Sequence, residues 1–227
     1  MFNQIITTIS IIIFSAYTLH ITYKQDKAMS CVKESLDSLK SIEADKEMVR
    51  ATLSVAYPQL STFETMAYGE VFYYMCFVKY KVPFTIPAAI ISVESGWNPT
   101  LVSNKKCRGI GQLSSAAAEE GCKAYDIKYR EGYTEWCDIV NLGLSLDYYC
   151  KKHVSKGDSF AVRAYVGGDT WPSAKPGSER DKYIKEYAKL VANKELMVKN
   201  VFAEQRKLIY IKRGALAYAK DSLFGGE

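Results

Sequence analysis

The chain has 227 residues, a net charge of +5 and 48% hydrophobic residues, enough length and apolar content for one well-packed core plus extra segments. Two histidines and six cysteines without a CxxC offer no zinc pattern, so no metal or organic cofactor is expected. The mild basic excess suits an anionic polymer or a membrane surface, and no nucleic-acid partner is expected.

Residues 1–23 carry no Asp, Glu, Lys or Arg, and Ile5–Tyr23 is rich in isoleucine. Nineteen helical residues span roughly 28 Å, close to the hydrocarbon thickness of a bilayer, so the expectation is an N-terminal transmembrane anchor over 1–23. A cleavable signal peptide is the rival, but it would want positive charge near Met1 and small residues before a cut. Lys24 and Lys27 follow the run, and the positive-inside rule alone would leave the remainder in the cytoplasm.

Residues 24–61 read as a stalk helix and linker. Val32, Leu36, Leu39 and Ile42 form a narrow stripe, and Pro58 with Ser61 marks a boundary. The stretch Phe63–Tyr80 reads as a helix with a crowded aromatic face of Phe72, Tyr73, Tyr74 and Phe77.

The next segment holds one acid, Glu94. Ile86, Ala89, Ile90 and Val93 share a helical face, Thr85 can cap the start, Pro87 suits a first turn, and Gly96 with Pro99 ends the run. Glu94 therefore falls in a last helical turn against apolar neighbours. Desolvation and the negative end of the helix dipole both raise a carboxyl pKa, and an acid that stays protonated near neutrality can serve as a general acid. Position alone favours an ordinary surface carboxylate.

Asn98–Arg108 is a polar loop, and Gly109-Ile110-Gly111-Gln112 suits a tight turn that presents Gln112. Ser114 or Ser115 can cap a short helix over 116–120. Asp138–His153, Phe160–Tyr165 and Glu179–Ala192 read as further helices, and Asn193–Phe224 as a long one. Seven Lys/Arg against three Asp/Glu between Lys194 and Asp221 make that tail basic. No strands or repeats are evident. Cys107, Cys122, Cys137 and Cys150 are spaced by 15, 15 and 13 residues. One or two disulfides in an oxidising compartment are one reading, and small buried thiols are the other.

Taken in order, the motifs resemble a known family. Glu94-Ser95-Gly96-Trp97-Asn98-Pro99 resembles the ES-x-x-NP motif of soluble-type lytic transglycosylases, which have a lysozyme-like fold. Gly109-Ile110-Gly111-Gln112-Leu113 resembles their GLMQL, Asn141-Leu142-Gly143 with Tyr148 the helix that follows, Ala164-Tyr165-Val166-Gly167-Gly168 their AYNAG, and Tyr183-Ile184 their closing YV. Gly111 stands where the family has Met, and Val166 where it has Asn.

The resemblance implies an all-α, goose-type/SLT helical domain over 62–192, flanked by the anchor and by a basic helical tail over 193–227. It implies a lyase that cleaves the β-1,4 bond between N-acetylmuramic acid and N-acetylglucosamine in peptidoglycan and leaves a 1,6-anhydro end. Glu94 would be the single acid and base, with Ser95, Gln112 and Tyr165 binding substrate and Tyr165 also hydrogen-bonding Glu94. A hydrolytic muramidase of the same fold is the alternative, with Glu119, Asp126, Asp138, Asp147 and Asp158 as candidate second carboxylates. A weakly catalytic peptidoglycan-binding scaffold is another. The expected partners are glycan strands, a lipid bilayer through Ile5–Tyr23, and envelope or virion machinery through the tail. Such an activity needs the catalytic domain outside the cytoplasm, in a bacterial envelope or a phage virion setting, and this outweighs the two lysines.

Overall fold

The structure is a computed structural model. It describes the backbone of residues 2–129, 138–168 and 171–224, and the side chains of residues 22–129, 138–168 and 171–213. Seven α-helices lie among the described residues: α1 (Phe2–Ala56), α2 (Thr62–Phe72), α3 (Thr85–Ser95), α4 (Ser115–Ala124), α5 (Asp138–Lys156), α6 (Asp158–Gly167) and α7 (Glu179–Phe224). A π-helical segment, Tyr73–Lys79, continues α2, and a single 3₁₀ turn covers Trp171–Ser173. Two isolated bridges, Val102 to Arg108 and Arg108 to Leu113, are the only β-pairings among the described residues.

The chain divides into two compact units, residues 1–45 and 46–227. In the first, Met29, Val32, Leu36 and Leu39 are exposed along the helix. The second holds the core. There the end of α1 contributes Val49 and Leu53, and α2 starts with a capping box. Glu64 N–H donates to Ser61 Oγ at 3.2 Å, and Ser61 N–H donates back to the Glu64 carboxylate at 2.8 Å. The core itself is aromatic, with Trp97 packed against Tyr57, Tyr68 and Phe72. Every residue from Thr85 to Ile91 is buried, which explains why the IPAAII run is apolar on all sides and not on one stripe. Thr85 opens α3, but Phe84 precedes it without a side-chain cap. Ser114 caps α4, whose Ala117 N–H donates to Ser114 Oγ at 3.3 Å. Helix α7 packs on α3 and α6, and α5 packs on α2, α4, α6 and the π-helical segment.

That π-helical segment widens the backbone, with Tyr80 N–H donating five residues back to Met75 O. Lys79 and Tyr80 emerge from it beside Asp147 of α5. Lys79 Nζ donates to Asp147 Oδ1 at 2.9 Å and Lys151 Nζ reaches Oδ2 at 2.5 Å, while the Tyr80 and Tyr125 hydroxyls also donate to Oδ1. One carboxylate thus ties the π-helical segment, the residue after α4, and α5 together.

Two expectations need correction. Ile5–Tyr23 lies within α1, yet among the described residues no helix is long and apolar enough to cross a membrane. The side chains of residues 5–21 of that run lie outside the described residues. The finding therefore gives no support to the transmembrane anchor over 1–23, to the bilayer contact through it, or to the placement as a single-pass membrane protein. Nor does any disulfide join two described residues: Cys31, Cys76, Cys107 and Cys150 are free thiols, Cys76 and Cys150 buried in the core, and Cys137 lies outside the described residues.

Candidate active site

Helix α3 stops because Gly96 takes a left-handed φ of 58°, a conformation without cost for glycine. Glu94 is therefore held in the last turn of a helix that the core fixes on every side. It opens into a cavity of about 530 Å³. Val93 and Glu94 of α3 form one wall, Ser103, Lys105, Cys107 and Gln112 of the following loop another, and Tyr165 with Val166 of α6 a third. Tyr183, Glu186, Tyr187 and Leu190 of α7 close the last side. The volume falls in the range of small-ligand sites.

Glu94 is half-buried, and its Oε1 accepts a hydrogen bond from the Tyr187 hydroxyl at 2.6 Å. Burial pushes its pKa up from the usual 4.5 to about 7, and the Tyr187 hydrogen bond pulls the other way without cancelling the effect. The carboxyl is therefore poised to exchange a proton near neutrality.

Tyr165 lines the cavity, but its hydroxyl donates to the Gly111 carbonyl at 2.8 Å. Burial, and then the nearby negative Glu94, raise its pKa. The hydrogen bond expected from Tyr165 to Glu94 comes instead from Tyr187, 93 residues downstream of the acid. Gln112 also lines the cavity, with φ 50°, and its Nε2 donates to the carbonyls of Leu101 and Gly109 at 2.9 Å each. Both amide hydrogens hold the loop, which leaves Oε1 as the group available to a ligand. Ser95 is buried. Its Oγ donates to Ile110 O at 2.6 Å and accepts from Trp97 N–H at 3.1 Å, so it ties the end of α3 to the Gly109–Gln112 turn.

The turn is also fastened from α5. Gly111 N–H donates to Asn141 Oδ1 at 2.7 Å, and Asn141 Nδ2 donates to Arg108 O at 3.1 Å. A Cβ on Gly111 would lie 1.7 Å from Ser145 Oγ, which explains why glycine replaces the methionine of the motif here. Val166 adds apolar surface to the cavity where the motif has an amide.

None of the five carboxylates considered as a second acid lines this cavity. Asp147 is held by its network, Asp138 accepts from the Tyr68 hydroxyl at 2.5 Å, and Asp158 lies 2.7 Å from His153 Nε2. Glu119 and Asp126 border a separate depression. The second carboxylate that does line it is Glu186, exposed on α7. Glu186 and Tyr187 sit inside an amphipathic pattern that reads as packing. The available signal was a tyrosine, apolar in body and polar at its tip, four residues after Tyr183 on the core-facing side. Among the described residues no three His, Cys, Asp or Glu side chains converge as a metal site would require.

An all-α domain whose cavity holds a carboxylic acid of raised pKa presents a candidate acid–base site. In the comparison with protein families, residues 76–188, from the π-helical segment into α7, match the family described as Transglycosylase SLT domain. Residues 76–188 are thus similar to the soluble lytic transglycosylase type, and that similarity supports an activity on peptidoglycan. Searches of the curated proteins and of the solved structures found no match.

Proposed function

We propose that the chain is a peptidoglycan lytic transglycosylase in which Glu94 acts as both acid and base. The observation that carries this reading is the Glu94 carboxyl itself, half-buried in the cavity wall, its pKa near 7, with one hydroxyl as its hydrogen-bond donor. Protonated Glu94 gives its proton to the glycosidic oxygen between N-acetylmuramic acid and N-acetylglucosamine, and the bond to the anomeric carbon breaks. The carboxylate then takes the proton of the muramic acid 6-hydroxyl, whose oxygen closes on the anomeric carbon. Glu94 ends protonated, and the products are a free N-acetylglucosamine 4-hydroxyl and a 1,6-anhydro end. The Gln112 Oε1 and the Lys105 ammonium supply polar contacts for the sugar hydroxyl and N-acetyl groups, and Tyr165 and Ser95 keep the turn that carries Gln112 in place.

One observation favours a second reading. Glu186 offers a second carboxylate in the cavity lining, and a hydrolase needs such a base to activate water. Digestion of purified cell wall decides both questions. Wild type is expected to release anhydro-ended muropeptides, identified by mass, and Glu94→Gln to lose at least about a hundredfold in rate, the lower end of what a general acid contributes. Equal release by wild type and variant, or none by either, would reject the enzyme. Reducing ends that vanish in Glu186→Gln would make it a muramidase.

A further inference from the structure

The cavity that holds Glu94 does not end at α7. A second concavity of about 460 Å³ adjoins it, bordered by Val93, Leu190, Asn193, Lys194 and Met197. The two share Val93 and Leu190, so a ligand in one abuts a ligand in the other. The helix geometry explains the continuity. Tyr183, Tyr187 and Leu190 are spaced by four and three residues on α7, and Leu190, Lys194 and Met197 repeat that spacing further along the same face. The first half of this stripe faces the acid, and the second half faces the annex.

The chemistry of the annex differs from that of the cavity. Val93, Leu190 and Met197 make it apolar, Asn193 offers an amide at the edge, and Lys194 stands there as an exposed cation. Sugar rings call for dense hydrogen bonding, which this lining lacks. Aliphatic side chains next to a carboxylate suit it well. Leu190, Asn193, Lys194 and Met197, on the long α7, lie beyond the residues that match the SLT family.

We infer that the annex binds the peptide arm that the muramic acid unit carries on its lactyl group, with the aliphatic side chains on Val93, Leu190 and Met197 and an arm carboxylate on Lys194. This rests on the reading of the adjoining cavity as a peptidoglycan site. Val93, one of the two residues shared by both spaces, is the neighbour of Glu94, so an arm leaving the sugar at the acid begins at the mouth of the annex.

Calorimetric titration of the Glu94→Gln protein tests the inference without turnover. The ligands are N-acetylmuramic acid and the same sugar bearing its peptide arm. The arm is expected to tighten binding about tenfold, a gain that fits one charge-assisted contact plus modest apolar burial. In Lys194→Glu the ratio of the two dissociation constants should fall to about one, and in Lys194→Gln to about three. Lys194 is exposed, so unchanged melting curves would exclude misfolding as the cause. Equal affinities for the two ligands, or a ratio that Lys194→Glu leaves intact, would overturn the inference. Cell-wall digestion by wild type reports separately on the cleavage reading. Cleavage without arm preference rejects the annex and keeps the enzyme, whereas arm preference without cleavage keeps the annex and rejects the enzyme.

Discussion

Glu94 and Asp147 are two carboxylates taken out of water by the same domain, and they come out at opposite ends of the acidity scale. Asp147 is the deeper of the two, 4% exposed against a half-buried Glu94, and burial raises the pKa of both. Yet Asp147 falls to about 2 while Glu94 rises to about 7. Solvent exposure alone therefore does not order them. The number and charge of the donors does: Lys151, Lys79, Tyr125 and Tyr80 converge on Asp147, and one neutral hydroxyl serves Glu94. The first arrangement makes a permanent anion that joins three segments. The second leaves a proton that can come and go.

The largest expected effect comes from breaking the first arrangement. Asp147→Ala leaves Lys79 and two tyrosine hydroxyls without their acceptor, and a cost of about 3 kcal/mol is expected at pH 7. The Asp147 pKa is depressed in the folded state, so its contribution is complete above pH 3.8 and is lost as pH falls through about 2. Denaturant melts of wild type and variant should therefore converge in strong acid. A deficit under about 1 kcal/mol at pH 7 would mean that the network adds little and the comparison fails.

Glu94→Gln should act with the opposite sign. Between pH 4.5 and about 7 the unfolded chain has released this proton and the folded chain still holds it. Wild-type stability must then fall as pH rises through that window, and the loss is complete above it. Glutamine has no proton to lose. The variant should be more stable than wild type by about 3 kcal/mol at pH 8 and equal to it at pH 4, from the 1.4 kcal/mol that each pKa unit represents. A variant less stable than wild type at pH 8 would show that Glu94 is a structural anion like Asp147.

The contrast also marks what the sequence could disclose. Helical periodicity located α3, and Gly96 with Pro99 located its end, because both signals are local. Glu94 was legible for that reason, and so was the turn at Gly109–Gln112. The hydroxyl that reaches Glu94 was not. Tyr165 and Tyr187 both lie on core-facing stripes, and only the packing of α7 across α3 and α6 decides which one meets the acid. Asp147 was one of five carboxylates with nothing to single it out, since its partners emerge from a π-helical segment and from the end of α4. At the N-terminus an uncharged, isoleucine-rich run reads as an anchor, yet no helix among the described residues is long and apolar enough to cross a membrane.

The Gly111 contact makes the acid's surroundings as tightly fitted as the Asp147 network, though without charge. Gly111→Ala places a methyl on Ser145 Oγ, and overpacking of this kind costs about 2 kcal/mol. Ser145→Gly in the same chain removes the obstructing atom and should recover most of the loss. A double variant no more stable than Gly111→Ala alone would mean that the turn is disturbed through Asn141 and not through Ser145.

The smallest change asks whether the single hydroxyl on Glu94 sets its proton affinity or only its position. Tyr187→Phe keeps the ring packing and removes the donor. That hydrogen bond favours the charged carboxylate, so without it the Glu94 pKa moves further above 7. A general acid works only while protonated, so the cleavage rate falls as pH rises through that pKa. The alkaline limb of the pH–rate profile should therefore move upward in Tyr187→Phe, by about half a unit to one unit, the range that one neutral hydrogen bond supports. Asp147→Ala should leave the limb where it is. A rate reduced equally at every pH, with no displacement of the limb, would make Tyr187 a positioning residue alone. The acidity of Glu94 would then be set entirely by the apolar walls around it.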